Sequence, residues 1–145
     1  MSLFKYIGVA LLMLVIISPA GAGDFGKADR LICAVVDVHE CLPGTGCEET
    51  TASEINLPHF FKIDIKKKQI KGIRPGGAES EARINSLQHL DGKIILQGVQ
   101  DGLKDERDGV GWTVSIMEDT GGMVLTSSGD MVGFVAFGSC ILPEK

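Results

Sequence analysis

Residues 110–141 constrain the fold more than any other part of the chain. Val110, Trp112, Val114 and Ile116 alternate there with Gly111, Thr113, Ser115 and Met117. Period-two alternation puts one set of side chains on each face of a strand, whereas a helix needs a period of 3.6. Asp119-Thr120-Gly121-Gly122 interrupts the pattern and residues 123–126 resume it. Ser127-Ser128-Gly129-Asp130 interrupts it again, and residues 131–140 complete it. Strands joined by Asp/Gly turns are antiparallel hairpins. The stretch predicts a three-stranded meander in an all-β protein.

Residues 1–22 read as an export signal. Lys5 gives a basic start, residues 6–17 form an apolar run with one glycine, and Ser18-Pro19 ends it. Ala20-Gly21-Ala22 then supplies a small-residue cleavage site. The run is short for a bilayer span, so no stable membrane span is expected after cleavage. Residues 23–145 remain, about 120 residues, enough for a single β domain with one core. The chain carries a net charge of −5. That balance argues against nucleic acid or an anionic membrane surface as partner. The expected location is periplasmic or secreted.

Cys33, Cys41, Cys47 and Cys140 all follow the signal. An even number in a small exported domain predicts two disulfides. Three connectivities are possible. The intervening Leu42-Pro43-Gly44-Thr45-Gly46 is rich in turn formers and favours a local Cys41–Cys47 bridge. Cys33 and Cys140 would then join the first and last strands. A zinc site built from these cysteines and His39 fits no common ligand spacing, and the compartment is oxidising. No metal and no cofactor are expected.

Residues 31–38 read as the first strand, apolar on both faces except at Asp37. Residues 48–56 read as a loop or a short irregular helical turn. Residues 57–65 form a second strand with Leu57, His59, Phe61 and Ile63 on one face. Lys66-Lys67-Lys68 is a solvated connection into a strand at 69–73, and residues 72–83 read as a loop or a short covering helix. Asp91-Gly92 joins the strands 84–90 and 93–99 as a hairpin. Residues 100–109 form an acidic loop that lacks the ligand spacing of an EF-hand. About eight strands in hairpins predict a small up-and-down barrel, since closure removes exposed edges. The alternative is a two-sheet sandwich.

Several chemistries find no support. Asp119-Thr120-Gly121 matches the triplet of aspartic proteases, but those enzymes oppose two aspartates and only one such triplet exists here. It reads instead as a turn, capped by the Asp119 side chain. No Gly-x-Ser-x-Gly, P-loop or Cys-x-x-Cys occurs, and Ser139 falls on a strand. His39 and His89 read as structural or exposed. His59, Phe61 and Trp112 are the candidate ligand contacts: a polar anchor and two aromatic platforms on apolar faces. Trp112 reads first as core.

A set of short motifs carries a resemblance. They are Glu40-Cys41 with Cys47, Leu57-Pro58-His59-Phe60 with Asp64, and Leu96-Gln97-Gly98. Gly111-Trp112, Asp119-Thr120-Gly121 and Gly133-Phe134 through Phe137-Gly138-Ser139-Cys140 complete the set. Together they resemble a group of small exported proteobacterial proteins that has no established activity or catalytic residue. The resemblance implies a Gram-negative periplasmic origin. A likeness to lipocalin-type barrels is architectural only, because Gly111-Trp112 lacks their spacing and lies late in the chain.

Function then divides between classes. The leading expectation is a non-catalytic exported interaction or structural module with a protein partner. The alternative is a barrel that binds a small, partly apolar ligand, and an enzyme ranks third. Interior volume discriminates: roughly 300 Å³ or more with convergent polar groups favours a ligand.

Overall fold

The computed structural model describes residues 24–102 and 108–144. The expected signal segment lies outside the described residues, as does the middle of the acidic loop. Ten strands are present among the described residues: β1 (Arg30–Leu42), β2 (Gly46–Thr50), β3 (Phe60–Asp64), β4 (Gln69–Ile73), β5 (Glu79–Arg83), β6 (Ser86–Leu90), β7 (Lys93–Gln100), β8 (Val110–Met117), β9 (Gly122–Gly129) and β10 (Val132–Ile141). They pair in the order β5-β4-β3-β1-β10-β9-β8-β7-β6, and β2 pairs with the second half of β1. All pairings are antiparallel.

The two ends of this order, β5 and β6, are consecutive in the chain. Only Ile84 and Asn85 separate them. The Ile84 N–H donates to the Lys68 carbonyl at 2.9 Å, and the Asn85 N–H donates to the Gln97 carbonyl at 2.8 Å. One bent stave thus pairs with β4 at its first half and β7 at its second. Counted this way the fold is an eight-staved up-and-down antiparallel barrel, with β2 as an appended hairpin arm.

Some expected boundaries move. Residues 72–83 contain β5 rather than a covering helix, because Gly76 (φ +91°) and Gly77 (φ +89°) make a tight hairpin turn. Residues 46–50 form β2, since the Cys41–Cys47 bridge holds them against β1. β9 runs on through Ser127 and Ser128, and the turn falls at Asp130-Met131, both at positive φ. That geometry suits the twist of a two-residue hairpin.

β1 carries a bulge at Val36, between two register segments of its ladder with β10. Without it, strict alternation from Leu31, Cys33 and Val35 would turn Asp37 and His39 inward. The extra residue re-phases the strand. Val38 is buried instead, Val36 is 80% exposed, and His39 meets Asp37 outside at 3.1 Å.

The core fills one end of the barrel. Leu31, Ile63, Ile84, Ile94, Leu96 and Ile116 are fully buried there with the Cys33–Cys140 bridge, and Phe25 packs in from a short 3₁₀ turn. Both disulfides join residues directly opposite on neighbouring strands, Cys33 to Cys140 and Cys41 to Cys47. The expected pairing is the observed one. Their presence fits an oxidising compartment. No helix among the described residues is long and apolar enough to cross a membrane.

Because the Cys33–Cys140 bridge spans 107 residues, it restricts the unfolded chain strongly. Replacing both cysteines by alanine should lower the unfolding free energy by about 4 kcal/mol. Removing the Cys41–Cys47 bridge should cost less. Urea denaturation of the two double variants gives the comparison, and equal losses would contradict it.

Candidate functional site

The other end of the barrel is hollow. A cavity of about 360 Å³ opens between the turns at 51–58 and 74–78 and the loop after β7. Phe61, Ile70, Trp112, Val114, Leu125 and Phe134 make its apolar wall. Asn56, Arg74, Ser80, Asp101, Asp108 and Ser127 bring polar groups to it.

Strand alternation sets these positions. On β8, Trp112, Val114 and Ile116 are all buried, and the ring of Trp112 lies across Gly98, its partner on β7. A Cβ at Gly98 would overlap Trp112 Cζ2 and the Arg83 carbonyl, so the glycine makes room for both the indole and the bent stave. On β4, Ile70 and Gly72 face the cavity, and Arg74 takes the next inward position as that strand ends. Gly72 lets the turn at Pro58 close over it, since a Cβ there would stand 2.7 Å from Pro58 Cβ.

The turn at 51–56 is held by a reciprocal cap. The Thr51 N–H donates to Glu54 Oε2 at 3.0 Å, and the Glu54 N–H donates to Thr51 Oγ1 at 3.2 Å. This is a capping box on a single helical turn. It ends on Asn56 at φ +55°, where the Leu57 N–H donates to the Ala52 carbonyl at 2.8 Å. Ala52 is buried against Val38 and Ala136, which anchors the turn to the barrel and points residues 55–58 at the cavity. The hydroxyls of Thr51 and Thr50 and the Thr51 N–H hold the Glu54 carboxyl below its ordinary value of 4.5.

Of the expected ligand contacts, Trp112 and Phe61 meet in this cavity and His59 does not. β3 begins at Phe60, so His59 belongs to the turn before it and is exposed. Pro58 turns inward in its place. His59 Nε2 lies 2.9 Å from Ser53 Oγ, a nucleophile-to-base distance. Both are exposed, and no carboxylate among the described residues orients the ring, as a hydrolytic triad would require. His39 pairs with Asp37 on the outer face, and His89 Nδ1 meets Glu118 Oε1 at 2.6 Å near the filled end.

The Asp119 triplet lies at that filled end too. Thr120 Oγ1, rather than the Asp119 carboxylate, accepts from the Gly122 N–H at 3.3 Å. The expected Asp119 cap is therefore replaced by a hydroxyl one residue later. Gly121, at φ +74° and buried against Phe25, shapes the turn. Among the described residues no group of three or more His, Cys, Asp or Glu could hold a metal ion.

Trp112 is 8% exposed, as a core residue should be, yet its ring also lines the cavity. Its Nε1–H is buried with no acceptor among the described residues. Trp112→Ala should lower stability by about 3–5 kcal/mol. Trp112→Phe should cost clearly less, because it also removes an unmet buried donor. Thermal and urea unfolding of the two variants test this, and equal losses would contradict it.

Glu54 supplies a pH signature. Its carboxyl is depressed in the folded state, so its contribution is complete above the unfolded value and is lost as pH falls through the folded one. Glu54→Gln should therefore lower Tm at pH 7, and the gap to the wild type should close as pH falls through and below the ordinary glutamate range. A constant gap across that range would contradict the capping role.

No protein-family model, curated protein or solved structure matches this chain.

Proposed function

We propose that this protein is a non-catalytic binding protein that holds a small, partly apolar ligand in the mouth of its barrel. One observation carries the reading: the barrel is packed at one end and opens at the other into a cavity of about 360 Å³. That volume, aromatic and aliphatic walls and a few polar groups are what small-molecule sites have in common. The described residues of the cavity lining include neither histidine nor cysteine, and their polar groups suit recognition better than bond cleavage. The two disulfides and the export-like composition of residues 1–22 support a periplasmic or secreted setting. The resemblance to small exported proteobacterial proteins favours the periplasm.

A second reading is an interaction module, and it draws on the outside of the barrel. Val36, Phe60 and Ile141 are 80%, 67% and 60% exposed on the adjacent strands β1, β3 and β10. Apolar exposure grouped in this way is a feature of protein contact surfaces. The two readings separate by variant. Ser127→Leu fills the mouth, and Val36→Asp with Phe60→Lys disrupts the outer face.

Titration with the neutral fluorescent probe N-phenyl-1-naphthylamine tests the first reading. Saturable binding at one site, with quenching of Trp112, is expected for the wild type and for the outer-face variant. Ser127→Leu should abolish it while keeping the wild-type circular dichroism. Probe binding that survives Ser127→Leu and is lost in the outer-face variant would contradict the mouth as the site.

A further inference from the structure

We infer that the ligand of the mouth is an amphipathic carboxylate, with its anionic group on Arg74 and its apolar body against Trp112, Phe61 and Phe134. The inference rests on the cavity being a ligand site and adds the chemical class.

Arg74 occupies an inward position at the rim. Its backbone is pinned there, because its N–H donates to the Ala78 carbonyl at 2.8 Å and its carbonyl accepts from the Gly77 N–H at 2.9 Å. The residue is partly buried, and its guanidinium makes no ion pair or side-chain hydrogen bond among the described residues. The acids nearest in the β4–β5 hairpin do not serve it. Glu81 is taken up on the outer face by Lys71 at 3.2 Å and by Gln69, and Glu79 stands opposite outward-facing Ile73. A guanidinium has five donors and no acceptor, and its fork matches a carboxylate.

Among the described residues two carboxylates also border the cavity. Asp101 and Asp108 are exposed on the loop after β7, where water screens them, and Asp108 already has a partner. Among the described residues that line the cavity, Arg74 is thus the charged one that is partly buried. Below it the wall is mostly apolar, with the hydroxyl residues Ser80 and Ser127 set among Ile70, Ala82, Leu125 and Trp112. A charged head over an apolar body is the molecule that satisfies both. The volume lies at the small end of ligand pockets, roughly 300–1,000 Å³. It suits a medium chain or a single ring system better than a long lipid.

The test compares three probes of one chain length, decanoate, decanol and decylamine, by quenching of Trp112, the only tryptophan. Decanoate should bind most tightly. Arg74→Gln should weaken it roughly tenfold while leaving decanol within about twofold. Arg74→Lys should recover part of the loss. Circular dichroism of each variant establishes that it is folded. Equal affinity for decanoate and decanol, unaffected by Arg74→Gln, would overturn the carboxylate assignment and leave the ligand site standing. Preference for decylamine would overturn it in favour of the acidic rim. Failure of all three probes, together with failure of the neutral naphthylamine, would overturn the ligand site itself.

Discussion

Closure of the barrel depends on the ladder between β1 and β10. It joins the first stave to the last, and the Cys33–Cys140 bridge sits within it, fully buried. The bulge at Val36 divides this ladder into two phases. Before it, Leu31 and Cys33 build the filled end. After it, Val38 packs with Ala136 and Ala52 and so anchors the capped turn that borders the mouth. A continuous ladder would have to bury Asp37 and His39, and isolated ionisable groups inside an apolar barrel are costly. The irregular residue is what lets one strand serve both ends.

The difference between the ends follows from side-chain size. Leucine, isoleucine and phenylalanine occupy the inward positions at the filled end. Toward the mouth, Gly72, Ser80, Ala82 and Ser127 take those positions on β4, β5 and β9. Small residues on three staves leave volume that the surrounding aromatic rings do not recover. The capped turn narrows the opening from one side, and Pro58 over Gly72 fixes how far it leans in. On that side the mouth is bounded by a capped turn braced on a strand, which favours a site held in shape before a ligand arrives.

Much of the barrel was legible in the sequence, because hairpin chemistry is local. Asp91-Gly92, the alternation at 110–116 and the four cysteines each carry their meaning within a few residues or through simple pairing. The site was legible only in part. Trp112 and Phe61 declared themselves as inward aromatic residues, whereas His59 depended on a strand boundary one residue away, and the turn ended just after it. Arg74 went unread because Pro75-Gly76-Gly77 resembles an open loop. Once β4 and β5 are recognised as a hairpin, the alternation Ile70, Gly72, Arg74 puts Arg74 in the cavity wall. The bulge had one signal in the sequence, an aspartate where alternation demands an apolar residue.

The central claim is that the open end of this barrel holds a small molecule. Native mass spectrometry of the protein, recovered without denaturation from the compartment in which it folds, tests that claim most directly. The account predicts a disulfide-bonded chain carrying one small acidic adduct that leaves on unfolding. A chain whose native mass equals that of the oxidised polypeptide, and which takes up no carboxylate amphiphile when offered one, would contradict it.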